Sequence, residues 1–152
     1  MAPGYWERTG LERAILDALA SAGKNLDALT LEDLAPADQF HGGGKNATDR
    51  LARMAELAPA TRVLDVGGGL GGPARTLAVE HGCHVTVVDL TESYVRTGEA
   101  LTTRLRLADR VTHRIGDAPA AEVDARGTFL EGLDVLLSAA SRHDDGVLSC
   151  RV

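Results

Sequence analysis

The sequence is poor in aromatic residues and in cysteine, and it has no long apolar run. Aromatic residues make up 3% of the 152 residues, so a core has to be built from leucine, valine and alanine. Cys83 and Cys150 lack the spacing of a metal site, which favours reduced thiols and a cytoplasmic protein. No apolar run approaches the ~20 residues of a membrane span, and the first residues lack the apolar segment of a signal peptide.

Basic runs are also absent, and the formal net charge is −6. This charge would repel a phosphate backbone, so we expect no nucleic-acid partner, and the short apolar runs predict no membrane partner. The histidines have no metal-ligand spacing, so no metal site is expected. The remaining composition, 44% apolar and 25% charged, is that of one ordinary soluble domain.

The residues from 61 to 72 organise the chain. Val63, Leu64 and Val66 form a short apolar run that is typical of a buried parallel strand. Five glycines follow between Gly67 and Gly72, and the next residue, Pro73, is a favoured first residue of a helix. Because glycine accepts positive φ and has no Cβ, a strand, a glycine turn and a helix in this order let a ligand approach the backbone closely.

Two nucleotide-binding patterns overlap in this turn. Gly67, Gly69 and Gly72 fit G-x-G-x-x-G, which is typical of dinucleotide sites. Asp65 followed by Gly67, Gly69 and Gly71 fits D-x-G-x-G-x-G. Because Asp65 would lie close to the ligand, it would repel a pyrophosphate and attract a positively charged ligand. The plainer interpretation is a turn that only packs the helix on the sheet.

Two further acids follow predicted strands. The strand from residue 84 to 90 contains Asp89, 22 residues after Gly67, near the ~20 expected for a carboxylate that binds ribose hydroxyls. Its plainer role is to cap the next helix. Residues 111–115 alternate as a third strand, and Asp117 follows at the carboxyl end, which is the ligand side of an open α/β sheet. Asp117 would there accept a hydrogen bond from an adenine amino group.

Helices are predicted before the turn. Apolar spacing places one over residues 10–20, with Thr9 and Glu12 in capping-box positions. A short second helix is predicted to start at Thr30, with Asp33 three residues on, and to be ended by Pro36.

Residues 38–48 are polar and glycine-rich, with His41 just before three glycines. The segment fits a mobile loop over a ligand, and it also fits a plain connector with a solvated histidine. A third helix follows and stops before Pro59, and its core face is expected to consist of Leu51, Met54 and Leu57.

From residue 38 to 118 the chain resembles the class I S-adenosylmethionine-dependent methyltransferases. The resemblance is to the small-molecule group with the quinone-biosynthesis, sarcosine/dimethylglycine and tocopherol- or sterol-type enzymes. The segments that carry it are FHGG from Phe40, AT from Ala47, VLDVGGGLGGPARTL from Val63, GCHVTVVDLT from Gly82, LADRV from Leu107 and GDA from Gly116.

The resemblance implies a Rossmann-like three-layer α/β sandwich, S-adenosylmethionine as methyl donor and a small-molecule acceptor. It also implies that the loop containing Phe40 and His41 lies over the donor. The donor-contacting residues that it implies are Asp65, Gly67, Gly68, Gly69, Gly71, Asp89, Leu90, Asp117, Ala118 and His41.

The resemblance ends after Ala118. Residues 133–138 fit a strand or a helix equally well, and residues 61–152 leave room for about three strand–helix units at ~30 residues each. We therefore expect an incomplete, mostly parallel sheet of about three to four strands. Residues 1–58 would form a helical segment with a donor-covering loop, and residues 59–152 a truncated donor-binding domain. The acceptor pocket would be missing, so we assign no catalytic residue and expect poor turnover.

Two other functions fit parts of the sequence. Gly67, Gly69, Gly72 and Asp89 also suit an NAD-binding module of an oxidoreductase, although Asp65 argues against it. The chain also suits a non-catalytic binding or assembly piece. Because a sheet cut short exposes an edge strand and an apolar face, we expect a homo-oligomer or a partner chain that completes the sheet.

Overall fold

A computed structural model describes residues 9–39, 43–116, 135–138 and 149–151. These residues form five helices and five strands of an α/β fold. In chain order they are α1 (Leu11–Ser21), α2 (Leu31–Asp38), α3 (Gly44–Met54), β1 (Arg62–Val66), α4 (Gly72–Glu80), β2 (His84–Asp89), α5 (Glu92–Arg104), β3 (Val111–Ile115), β4 (Val135–Ser138) and β5 (Ser149–Arg151).

The strands form one mostly parallel sheet in the order β3-β2-β1-β4-β5. β1 is central, since Val63 pairs with Val85 of β2 on one side and with Val135 of β4 on the other. β5 runs antiparallel to β4, so the five described strands exceed the three to four expected. The strand order reverses at β1, and an open α/β sheet binds ligands beside the carboxyl ends of its strands at such a point.

The core lies between the sheet and α4. Valines of β1, β2 and β3 point to the same face because side chains in a strand alternate, and the apolar stripe of α4 covers them. The shared cluster consists of Val63, Val85, Val87, Val111, Ala74, Leu77, Ala78, Cys83 and Ala52, all at most 3% exposed. α5 packs on β2 and β3 at this same face, beside α4. The second helical layer of the expected three-layer sandwich stays a prediction, because α4 and α5, the described helices that pack on the sheet, share one face.

The first two helices pack over α4 and α5. α1 contacts α5 and α2 contacts α4, and their leucines share a buried cluster with Leu70 and Leu101. The capping box predicted at Thr9 is wrong, because Gly10 is the N-cap of α1, in the left-handed conformation and without a side-chain cap bond. The predicted start of α2 is confirmed, since Thr30 is its N-cap and forms a capping box in which its hydroxyl accepts from the Asp33 amide and Asp33 accepts from the Thr30 amide.

Two details of α2 and α3 differ from expectation. Pro36 lies inside α2, which continues to Asp38. α3 begins at Gly44, within the segment expected to be a loop or connector. The prediction that Met54 lies in the core is wrong, because Met54 is the last residue of α3 and is 72% exposed.

The open question over residues 133–138 is settled in favour of a strand, because Val135–Ser138 pairs in parallel with β1. Among the described residues, no helix is both long and apolar enough to span a membrane. The division at residue 58 stays a prediction, and the described helices on both sides of it share buried side chains.

Candidate functional site

The glycine turn between β1 and α4 has an accessible half and a buried half. Gly67, Gly68 and Gly69 are partly or fully accessible, whereas Gly71 and Gly72 are buried. Gly67, Gly69 and Gly71 have φ of 74°, 54° and 78°, a conformation that side chains with a Cβ rarely adopt. A ligand can therefore reach the turn only at its first three glycines.

Internal hydrogen bonds fix the shape of the turn. The Gly67 amide donates to the carbonyl of Val88 at 2.7 Å, and the Gly71 amide donates to the carbonyl of Gly68 at 2.8 Å. The Gly69 amide donates to Oδ2 of Asp89 at 2.9 Å. Three of the amides that a glycine turn offers to a phosphate are thus already engaged within the chain.

Asp89 joins the ends of β1 and β2. Its Oδ2 accepts from Gly69, and its Oδ1 accepts from the amide of Thr91, the N-cap of α5, at 2.9 Å. The bond to Thr91 orders the turn that leads into α5, whereas the N-cap of α5 has no side-chain cap bond. Each carboxylate oxygen has two lone pairs, so both oxygens retain capacity for a ligand hydroxyl.

Asp65 lies beneath the accessible half of the turn. Its side chain is buried, and Oδ2 has no hydrogen-bond partner among the described residues. A Cβ added at Gly68 would come within 2.5 Å of this oxygen, so only glycine fits above it. Burial, and then the charge of Asp89, raise the pKa of the Asp65 carboxyl to about 7.

The side of the turn that faces α5 is open and partly apolar. A Cβ added at Gly69 would meet only the ring of Tyr94, at 3.9 Å. Leu90, which follows Asp89, is 68% exposed and adds apolar surface beside the turn. Sequence reasoning did not identify Tyr94 as a site residue, because its spacing on α5 fitted the buried face of that helix.

The comparisons with known proteins agree on one chemistry. A glycine/sarcosine/dimethylglycine N-methyltransferase from Actinopolyspora halophila is 43% identical over 57 residues, which are 38% of this chain and 10% of that relative. A sterol 24-C-methyltransferase from Eremothecium gossypii is 37% identical over 67 residues, 44% of this chain and 18% of that relative. The structure of phosphoethanolamine N-methyltransferase 2 from Haemonchus contortus, solved with S-adenosyl-L-methionine, matches with a TM-score of 0.54 and 26% identity, covering 80% of this chain and 25% of that chain.

Over the matched residues, this chain is similar to methyltransferases, one of which was solved with S-adenosyl-L-methionine bound. The resemblance read from the sequence and the Rossmann-like fold are confirmed. The chain spans less than a fifth of the length of these two curated methyltransferases. No protein-family model matches it.

The methyltransferase donor residues predicted from the sequence fall into two groups. The structure brings Asp65, Asp89 and the accessible glycines together at the carboxyl ends of β1 and β2, and Leu90 lies beside them. His41, Asp117 and Ala118 lie outside the described residues, so their predicted donor contacts stay predictions.

A buried polar network behind the turn was missed by sequence reasoning. Arg75, in the first turn of α4, is fully buried and pairs with Asp38 at 2.7 Å between Nη2 and Oδ2. Its Nη1 donates to the carbonyl of Gly98 and to the hydroxyl of Thr102, which lies 2.9 Å from Nε2 of His113. An arginine among the apolar residues of α4 was the available signal, because a buried guanidinium needs a carboxylate.

Three potential metal ligands lie close together away from the glycine turn. Asp49 of α3 and Glu80 and His81 at the end of α4 place their ligand atoms within 4.8 Å of one another. Sequence spacing did not reveal them, since they come from two helices. Lys45 pairs with Glu80 at 2.6 Å, and His81 lies 3.5 Å from Asp49, so contacts within the chain already engage all three.

A second concave region lies at the opposite end of the sheet. A cavity of about 300 Å³ is lined by residues at the amino ends of β1, β2 and β3, among them Arg62, His84 and Arg110. Because the ligand side of an open α/β sheet is its carboxyl end, this cavity is not the candidate methyl-donor site.

Proposed function

We propose that this chain binds S-adenosylmethionine at the accessible half of the glycine turn and acts as the donor-binding part of a small-molecule methyltransferase. The observation that carries the proposal is the buried Asp65 carboxyl, whose Oδ2 has no partner among the described residues. The methionine part of S-adenosylmethionine carries an ammonium and a sulfonium, and either cation would stabilise the ionised form of this carboxyl.

The electrostatics of the site favour this donor over a dinucleotide. Asp65 and Asp89 both border the turn, and their mutual repulsion contributes to the raised pKa of Asp65. A pyrophosphate placed there would bring its negative charges next to two carboxyl groups. It would also find the amides of Gly67, Gly69 and Gly71 engaged within the chain. A cationic ligand relieves the repulsion instead.

The other site residues fit distinct parts of the donor. The remaining lone pairs of Asp89 would accept from the ribose hydroxyls, and the exposed side chain of Leu90 offers an apolar surface to the adenine. By resemblance, Asp117 and Ala118 would contact the adenine, and the loop containing His41 would cover the donor. Gly68 and Gly71 are retained as donor residues by resemblance, although Gly71 is buried.

A bound donor would supply the methyl group of its sulfonium. An N, O or C nucleophile of the acceptor would bond to that methyl carbon as the carbon–sulfur bond breaks, which leaves S-adenosylhomocysteine. The described residues bind and orient the donor, and orientation is worth roughly 7–11 kcal/mol in well-placed transfers. The named relatives act on glycine-type amines, sterols and phosphoethanolamine, which supports a small-molecule acceptor for this chain. No described residue is assigned as catalytic, and we expect weak donor binding and little or no turnover by this chain alone.

Calorimetric titration with S-adenosylmethionine and with NAD tests the proposal. We expect heat from S-adenosylmethionine only, and weaker binding by the Asp65→Asn variant, which keeps the shape of the side chain and removes its charge. Heat with NAD alone would reject the proposal, and so would Asp65→Asn binding as tightly as the wild type.

The proposed cellular setting is the cytoplasm, without a nucleic-acid or membrane partner. The support is the net charge of −6 and the buried, free thiol of Cys83. We also propose that the chain self-associates or pairs with a partner chain through an edge of its sheet.

A further inference from the structure

The buried half of the glycine turn is backed by side chains from other elements. A Cβ added at Gly72 would fall on the carbonyl oxygen and the carboxyl group of Asp38, at the end of α2. A Cβ added at Gly71 would come within 2.5 Å of the His113 ring on β3. These glycines are therefore needed for close packing of α2 and β3, which distinguishes them from the accessible glycines of the same turn.

The end of α2 is fixed to the first turn of α4 by polar contacts. Asp38 and Arg75 form an ion pair in which both side chains are at most 2% exposed. The Gln39 side chain donates to the hydroxyl of Thr76 at 3.3 Å. If one partner moved away, the other charge would stay buried and uncompensated. The ion pair therefore favours the arrangement of α2 and α4 in which the two side chains meet.

A short chain of contacts connects this attachment to the accessible glycines. The Arg75 amide donates to the carbonyl of Gly71 at 3.0 Å, and the Gly71 amide donates to the carbonyl of Gly68 at 2.8 Å. Gly68 in turn covers Oδ2 of Asp65. Two backbone hydrogen bonds thus connect Arg75 to Gly68 in the accessible half of the turn.

We propose that Asp38 and Arg75 are positioning residues for the methyl donor: their ion pair holds α2 against the turn and thereby sets the geometry of Gly67–Gly69 above Asp65. The part of this inference that concerns the donor rests on the proposed function. If the pair only stabilised the fold, breaking it would disturb the donor site no more than an equally destabilising substitution elsewhere in the protein.

The decisive comparison is between Asp38→Asn and Val85→Ala. Asp38→Asn removes the charge at nearly constant volume. Val85 is 2% exposed and lies near the amino end of β2, at the opposite end of the sheet from the turn, so Val85→Ala destabilises the fold without touching α2 or the glycines. Both variants are studied at a temperature at which thermal melts show them to be folded.

The first measurement is amide hydrogen exchange of the segment containing Gly67–Gly72 without ligand. We expect exchange about tenfold faster in Asp38→Asn than in Val85→Ala when the two are compared at equal stability. The second is the dissociation constant for S-adenosylmethionine, which we expect to rise about tenfold in Asp38→Asn and less than about twofold in Val85→Ala.

The two measurements separate the two proposals. If the wild type does not bind S-adenosylmethionine, the proposed function fails, and the exchange measurement still tests the coupling. Equal effects of the two variants on exchange would overturn the positioning role. If Asp38→Asn does not fold, Arg75→Lys takes its place, because lysine keeps the charge but cannot reach Asp38, Gly98 and Thr102 together. Arg75→Lys must then exceed Val85→Ala in both measurements, or the inference is wrong.

Discussion

At the scale of single residues, two buried ionisable groups near the turn respond to pH in opposite directions. Burial raises the pKa of Asp65 to about 7, whereas burial and the neighbouring Arg75 lower the pKa of His113 to about 4. Stability from Asp65 is complete below its unfolded pKa and is lost as pH rises towards 7. Stability from His113 is lost as pH falls from about 6.5 to 4. A pH profile of the wild type alone therefore mixes two effects.

Replacing Asp65 by asparagine isolates the first effect. A shift of the Asp65 pKa from 3.8 to about 7 corresponds to a cost on the order of 4 kcal/mol for the ionised side chain in the ligand-free protein. We expect Asp65→Asn to be more stable than the wild type at pH 8, with the difference shrinking as pH falls to 4. Urea unfolding of both proteins at several pH values measures this, and His113 cancels in the comparison. A difference that stays constant with pH would contradict it.

At the scale of secondary structure, the capping of the first two helices gives a matched pair of substitutions. The Thr30 hydroxyl accepts from the Asp33 amide at 3.2 Å, whereas Thr9 makes no cap bond to α1. We expect Thr30→Ala to cost about 1 kcal/mol of unfolding free energy. Thr9→Ala should change it little, since no cap is lost. Denaturant midpoints of the two variants test this, and equal losses would show that the α2 cap contributes nothing specific.

Much of the secondary structure was predictable from the sequence, and the elements that were not predicted have physical reasons. β3 was predicted at its observed bounds and Thr30 at its observed cap, because alternation and capping are local patterns. β4 and β5 were not predictable, since four and three residues carry too little pattern and their pairing depends on distant strands.

The candidate site was likewise predictable only where the pattern is local in the sequence. Asp65 and Asp89 were predicted because each lies at the carboxyl end of a strand, and these ends meet at one edge of the sheet. The Asp38–Arg75 pair was not, because its members are 37 positions apart and only packing brings them together. The division of the turn into an accessible and a buried half was likewise invisible, since all of its glycines look alike in the sequence.

At the scale of the whole molecule, an edge of the described sheet provides a test of the proposed self-association. β3 is one edge of the described sheet, and Ile115 at its end is 49% exposed. An unpaired edge strand with an exposed apolar residue favours pairing with another chain. We expect the mass measured by light scattering to rise with protein concentration, and Ile115→Lys to reduce the rise. A monomer over an about hundredfold range of concentration would contradict this expectation.

The central position of β1 also has a consequence for the order of folding. Val63 pairs with Val85 after 22 positions and with Val135 after 72, so closing the second loop costs about 1 kcal/mol more chain entropy. We therefore expect the unit from β1 to β2 to assemble first and β4 to join it later. The glycine turn and Asp89 both belong to the early unit. If β4 detached, the candidate donor site would be expected to persist.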